Sequence, residues 1–201
     1  MTKDHRNQTM NNPRTNDTRR GSRVIPIVLG VLAVSTSALA QTSPEIERAL
    51  AAAPRQMREA ATVIKWKPDH TYDTLKKGTN RLVCYDRSGE PGRQPFAVQC
   101  TSVGNLERAA QNQRFEMETD AAKRKATTDA AEANGTRVKP EYGTVWYTMN
   151  GADQATARLH VTIAVPGATT QSTGLPDNPK QGGAWLMNAG TSTAHIMTPG
   201  S

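Results

Sequence analysis

The strongest constraint on this chain is a division near residue 40 that separates a leader from the part able to fold. Residues 1–23 are polar and carry Arg14, Arg19, Arg20 and Arg23. An apolar run of 11 residues follows from Val24 to Val34, then small residues ending Ala38-Leu39-Ala40. A basic head, a short apolar centre and an A-x-A site are the three parts of a cleaved secretion signal. A membrane span needs about 20 apolar residues, whereas this run is shorter and is broken by Pro26 and Gly30. No Cys follows the cleavage position, which argues against a lipid anchor. The expectation is an exported protein, periplasmic or extracellular, cleaved after about Ala40 and with no stable membrane span. Thr18-Arg19-Arg20 resembles part of a twin-arginine signal. Ser22 and Arg23 stand where that pattern prefers apolar residues, so Sec and twin-arginine export both stay open.

Removing the leader changes the meaning of the charge. The full chain has 25 basic and 18 acidic residues, a net of +7. Six of the basic residues and two of the acidic ones precede residue 41, leaving 19 against 16, or +3. Residues 41–201 show no dense basic stripe interleaved with aromatics, so the electrostatic footprint of a nucleic-acid binder is missing. About 160 residues suffice for one core and one domain. With 4% aromatic residues in the whole chain, that core must be modest.

Cys84 and Cys100 are the only cysteines. In an oxidising compartment an isolated pair most often forms a bridge, and closing a loop of this length would stabilise by roughly 3 kcal/mol. A free thiol or a metal-binding pair is the alternative, but the spacing is neither C-x-x-C nor that of a zinc cluster.

Along the folded part, Thr42-Ser43-Pro44-Glu45 reads as a helix start, with Pro54 ending a short helix over 44–53. Strands are expected at 61–66, 81–85, 96–100, 144–149 and 158–165, with short final strands at 184–188 and 194–197. Turn signals stand at Pro68-Asp69 and at 76–80, and loops occupy 86–95 and 166–183. The stretch 105–134 holds neither Pro nor Gly and stops at Asn134-Gly135, which predicts one long helix. Together these give an α+β fold: an antiparallel sheet, one long helix packed on a face, a short N-terminal helix and one disulfide, within a single domain over 41–201.

Lys77-Gly78-Thr79-Asn80 before Cys84, then Cys100, Gly182-Gly183, Trp185-Leu186-Met187 and the tail Gly190-Thr191-Ser192-Thr193-Ala194-His195-Ile196-Met197-Thr198-Pro199 carry a resemblance. The pattern G-T-N…C…C…W-x-M…G-T…H-[IL]-M-x-P resembles that of a family of small uncharacterised exported bacterial proteins. It spans about 61–201 and is dense only at those motifs. Arg81-Leu82-Val83 and the charged 118–138 stretch depart from it. The resemblance implies export and one compact domain and supplies no chemistry.

Candidate site residues are few. His70, His160 and His195 lie outside H-x-x-x-H or H-x-H spacing, so no local metal motif exists and the metal question stays open. No G-x-S-x-G elbow or phosphate-cradling glycine loop occurs. Glu116 and Asp120 sit among Lys123 and Arg124, which reads as a solvated face. Trp66, Trp146 and Trp185 are core candidates, Trp185 also a stacking platform because Gly182-Gly183 precedes it. The candidate ligand-binding residues are therefore His160, His195 and Trp185, with no catalytic residue and no cofactor named. The favoured reading is a non-enzymatic module binding a small molecule, a metal or a protein partner. The alternative is an enzyme with a dispersed, His-centred hydrolytic site, with or without a metal, which requires two histidines, or one with an acid, in contact within a hollow.

Overall fold

The structure is a computed structural model that describes residues 43–198; the reading of a secretion signal lies outside them. Ser43 caps the first helix by accepting from the Ile46 N–H, and Pro44 opens helix α1 (Pro44–Ala49). A single 3₁₀ turn, Leu50–Ala52, completes it. Pro54 then forces a restart as the one-turn helix α2 (Arg55–Arg58).

Strand β1 (Thr62–Trp66) turns at Pro68-Asp69, where Asp69 Oδ1 accepts from both the N–H and the hydroxyl of Thr71, into strand β2 (Tyr72–Lys76). Sequence reading had no strand over 72–76. It is an edge strand whose first three residues are exposed and whose Lys76 turns its ammonium onto the carbonyls of Arg58, Glu59 and Ala61, so it lacks the apolar alternation that marks the others.

The Gly78-Thr79-Asn80 motif has a structural role. Thr79 and Asn80 both donate their backbone N–H to the Ala60 carbonyl, while the Asn80 side chain joins Met57 O to the Leu82 N–H. A Cβ on Gly78 would lie 2.3 Å from that same carbonyl, so only glycine allows the crossing. The chain emerges into β3 (Leu82–Asp86) on the other side of β1. There it runs parallel to β1, which corrects the expectation of a wholly antiparallel sheet. Because β2 pairs with the outer side of β1, the next strand enters on the inner side pointing the same way as β1.

Strands β4 (Phe96–Ser102), β5 (Val145–Gly151), β6 (Arg158–Ala164), β7 (Trp185–Met187) and β8 (His195–Met197) complete one mixed, eight-stranded sheet. Its order is β2-β1-β3-β4-β5-β6-β8-β7. Cys84 and Cys100 stand directly opposite on β3 and β4 and form the expected disulfide.

The expected long helix is two. Helix α3 (Leu106–Glu116) ends at Met117, and α4 (Ala121–Ala133) starts afresh because Asp120 Oδ1 accepts from the N–H groups of Ala122 and Lys123. A side-chain cap thus breaks a segment with no Pro or Gly. A short helix α5 (Thr170–Thr173) precedes the final strands.

Both faces of the sheet's first half are covered. On one, Ala49, Leu50 and Ala53 pack on Val63, Cys84, Phe96 and Cys100. On the other, Ala109 and Leu106 of α3 pack on Ile64, Val83 and Tyr85. Asn105, fully buried, anchors the start of α3: its amide donates to the hydroxyls of Thr101 and Thr144, and its oxygen accepts from the Glu141 N–H.

Candidate functional site

Helix α3 carries Arg108, Asn112 and Glu116 at spacings of four, which puts them on one face. That face borders a cleft of about 400 Å³, whose other wall is the polar side of β4–β6: Gln99, Trp146, Thr148 and Thr162. Arg87 and Arg93, from the end of β3 and the loop after it, Arg137 from the segment after α4, and His195 at the start of β8 complete the chemistry-bearing lining. Four arginines therefore face one glutamate.

The arginines fall into two electrically different pairs. Arg87 and Arg93 both bind Glu116, and Arg87 also binds Glu90. Burial opposes the Arg87 charge, but the Glu90 hydrogen bond and the charges of Glu116 and Glu90 outweigh it and hold its pKa above the usual range. Burial likewise opposes ionisation of Glu116, and the charges of Arg87 and Arg93 overcome it and hold its carboxyl below the usual value.

Arg108 and Arg137 are the other pair, and they are 4% and 9% exposed. Among the described residues neither has a carboxylate within ion-pair distance. Arg108 donates from Nη1 to the Val138 carbonyl and, at 3.4 Å, to Ser192 Oγ. Arg137 donates to Gln111 Oε1 at 2.7 Å and Asn112 Oδ1 at 2.5 Å, and its guanidinium lies 4.9 Å over the Phe115 ring. Its Nε is buried with no hydrogen-bond partner among the described residues. Burial, reinforced by the like charge of Arg137, pushes the Arg108 pKa down to about 10. Burial lowers that of Arg137 as well. The nearest relief is Glu132, whose carboxylate is taken up by the N–H and hydroxyl of Ser192. Two buried cations held only by neutral acceptors are costly, because desolvation is not repaid by an opposite charge.

The structure separates His70, His160 and His195. His195 lines the cleft, and its Nδ1 lies 2.7 Å from the Thr193 carbonyl. His160, on β6 opposite Thr148, shares a strand face with Thr162 but is not part of the lining. His70 belongs to a second hollow of about 500 Å³, beside Trp66, and bonds Gln113. Arg87 and Glu116 border both hollows. Trp185 is on β7, paired with Met197, and is not in the cleft lining. Its neighbour Leu186 is the residue buried there, against Val165, Ala168 and Ala194. The aromatic wall of the cleft is Trp146 instead. Neither His70 nor His195 hydrogen-bonds a carboxylate. Among the described residues no group of three or more His, Cys, Asp or Glu side chains is placed to hold a metal ion.

Sequence reading missed the arginines because they come from separate elements and form no linear motif. One signal was available: Arg108, Asn112 and Glu116 recur every four residues and so share one polar face of α3 beside its apolar stripe. No helix of the described residues is long and apolar enough to cross a membrane. No protein-family model matches the chain, and no curated protein or solved structure is similar to it, so the chemistry rests on the residues themselves.

Proposed function

We propose that this chain is an exported, non-enzymatic binding module that holds a small organic anion in the arginine-lined cleft. The observation that carries this reading is the Arg108–Arg137 pair: two buried guanidiniums bordering the hollow, neither of them ion-paired with a carboxylate among the described residues, while the one glutamate of the lining, Glu116, is taken by Arg87 and Arg93. Proteins pair buried charges or place them where a ligand will pair them. A carboxylate or phosphate would complete the unused donors of the two forks by charge-assisted hydrogen bonds. The volume suits a small molecule and is too narrow for a folded partner. The Cys84–Cys100 disulfide fits an oxidising compartment outside the cytoplasm.

The hydrolytic alternative has less support. It needs a histidine joined to an acid or to a second histidine, and His195 is oriented by a backbone carbonyl while Glu116 is occupied by two arginines. The test is calorimetric titration of the purified protein with phosphate, citrate and gluconate, beside its Arg108→Met variant. At least one anion should bind, and Arg108→Met should weaken it about 10- to 100-fold, the worth of one charge-assisted hydrogen bond. The same variant should melt no lower than wild type to within about 1 kcal/mol, because an unpaired buried charge is replaced by an apolar chain of similar volume. An arginine kept only for structure would show the reverse: unchanged binding and a large drop in melting temperature.

A further inference from the structure

The arginines account for the ligand's charge, and the rest of the cleft bears on what else the ligand carries. A carbonyl oxygen only accepts, so the 2.7 Å contact to Thr193 places the hydrogen of His195 on Nδ1. In the neutral ring Nε2 is then an acceptor with no donor among the described residues, in the lining of a cleft otherwise dominated by donors. An acceptor in that position has no use for a carboxylate or phosphate oxygen. It fits a hydroxyl.

The neighbouring groups show the same mixture. Thr148 Oγ1 accepts from Gln99 Nε2, which leaves its own hydrogen to donate elsewhere. Asn112 gives its oxygen to Arg137, which leaves both amide hydrogens without an acceptor among the described residues. Thr162 adds a second hydroxyl, and the half-buried Trp146 gives an apolar wall. Such a set, with acceptor and donor functions interleaved beside an aromatic ring, suits the hydroxyls and C–H face of a saturated polyol.

We propose that the ligand is a polyhydroxylated organic acid of the sugar-acid class, its anionic group on Arg108 and Arg137 and a hydroxyl donating to His195 Nε2. This rests on the anion-binding reading above and adds to it the hydroxylated body of the ligand.

The experiment compares three probes of the same chain length by calorimetry on the intact protein: gluconate, hexanoate and glucose. Gluconate should bind at least 10-fold more tightly than hexanoate, which has the charge without the hydroxyls, and than glucose, which has the hydroxyls without the charge. His195→Phe should remove most of the gluconate preference and leave hexanoate unchanged. His195→Gln, whose amide oxygen reaches close to the Nε2 position, should restore gluconate to within about threefold. If His195→Phe does not fold, the wild-type ranking of the three probes decides alone. Equal binding of gluconate and hexanoate overturns the sugar-acid assignment while leaving the anion reading intact. Binding of inorganic phosphate with no response to gluconate does the same. If no anion binds at all, both readings fall.

Discussion

The β3–β4 pair and the β5–β6 pair lie side by side in one sheet and are built for different ends. In β3 the first four residues are buried, and in β4 five of seven are. In β5 every residue is only half-buried, and β6 reaches full burial only at Ala164. The cause is the cover. The first pair has α1 and its following turn on one face and α3 on the other, and a disulfide joins its two strands. The second pair has the arginine cleft on one face, where Trp146, Thr148 and Thr162 stand. On its other face Leu159 is largely exposed and Val161 and Ile163 are half-covered. Stability is thus concentrated in one half of the sheet, which frees the other half to present polar groups to a ligand.

That division is tested first by damaging the covered half. Phe96 is 1% exposed and contacts the main core cluster, with the Arg48 guanidinium 4.5 Å over its ring. Phe96→Ala should cost about 3–5 kcal/mol, roughly 6–20 °C in melting temperature for a domain of this size. Anion affinity of the fraction still folded should change less than twofold, since Phe96 borders no part of the cleft. A parallel loss of affinity would mean that the two halves are one energetic unit. Reduction of Cys84–Cys100 is the next largest perturbation. The bridge closes a separation of 16 residues, and its loss should cost about 3 kcal/mol through the entropy of the unfolded chain. Thermal melts with and without reductant measure it, and binding at 25 °C should again be unaffected.

The same contrast governs how much could be read from the sequence. The covered half was largely legible: Arg81–Tyr85 and Phe96–Cys100 are apolar, bounded by turn residues, and each holds a cysteine, so their strands and their bridge follow from local pattern. The parallel approach of β3 to β1 was not, because it depends on β2, whose Tyr-Asp-Thr-Leu-Lys sequence has no alternation to reveal it. Asp120, read as part of a solvated face, ends one helix and starts another with two backbone hydrogen bonds. Its position before Ala-Ala-Lys was a usable cap signal. His195 is a candidate from sequence as one of three histidines in residues 41–201, and the structure sets it in the cleft. The arginines around it could not be grouped from sequence, because burying a charge is a property of the assembled fold and leaves no period along the chain.

The smallest expected effect separates the two arginine pairs within the cleft itself. Glu116 is the carboxylate that neutralises Arg87 and Arg93, and its carboxyl is held below the usual value of 4.5 by those two guanidiniums. A depressed carboxyl pKa means that the folded state binds the proton less tightly than the unfolded chain does, so ionisation of the carboxyl favours the folded state. This contribution is fully present above about pH 4.5 and fades as the pH falls through the lower, folded-state value. Glu116→Gln should therefore be less stable than wild type at pH 7 by on the order of 1 kcal/mol, a modest figure because the side chain is one-third exposed to solvent. The difference should shrink as the pH is lowered from 5 to 3, which urea titrations at each pH would show. Binding should move the other way. Removing the one acidic side chain of the lining leaves Arg93 without an ion-pair partner other than the distant Glu90, at 3.9 Å, so anion affinity should rise a few-fold at neutral pH. A fall in affinity would place the ligand's charge on Arg87 and Arg93, oriented by Glu116, rather than on Arg108 and Arg137.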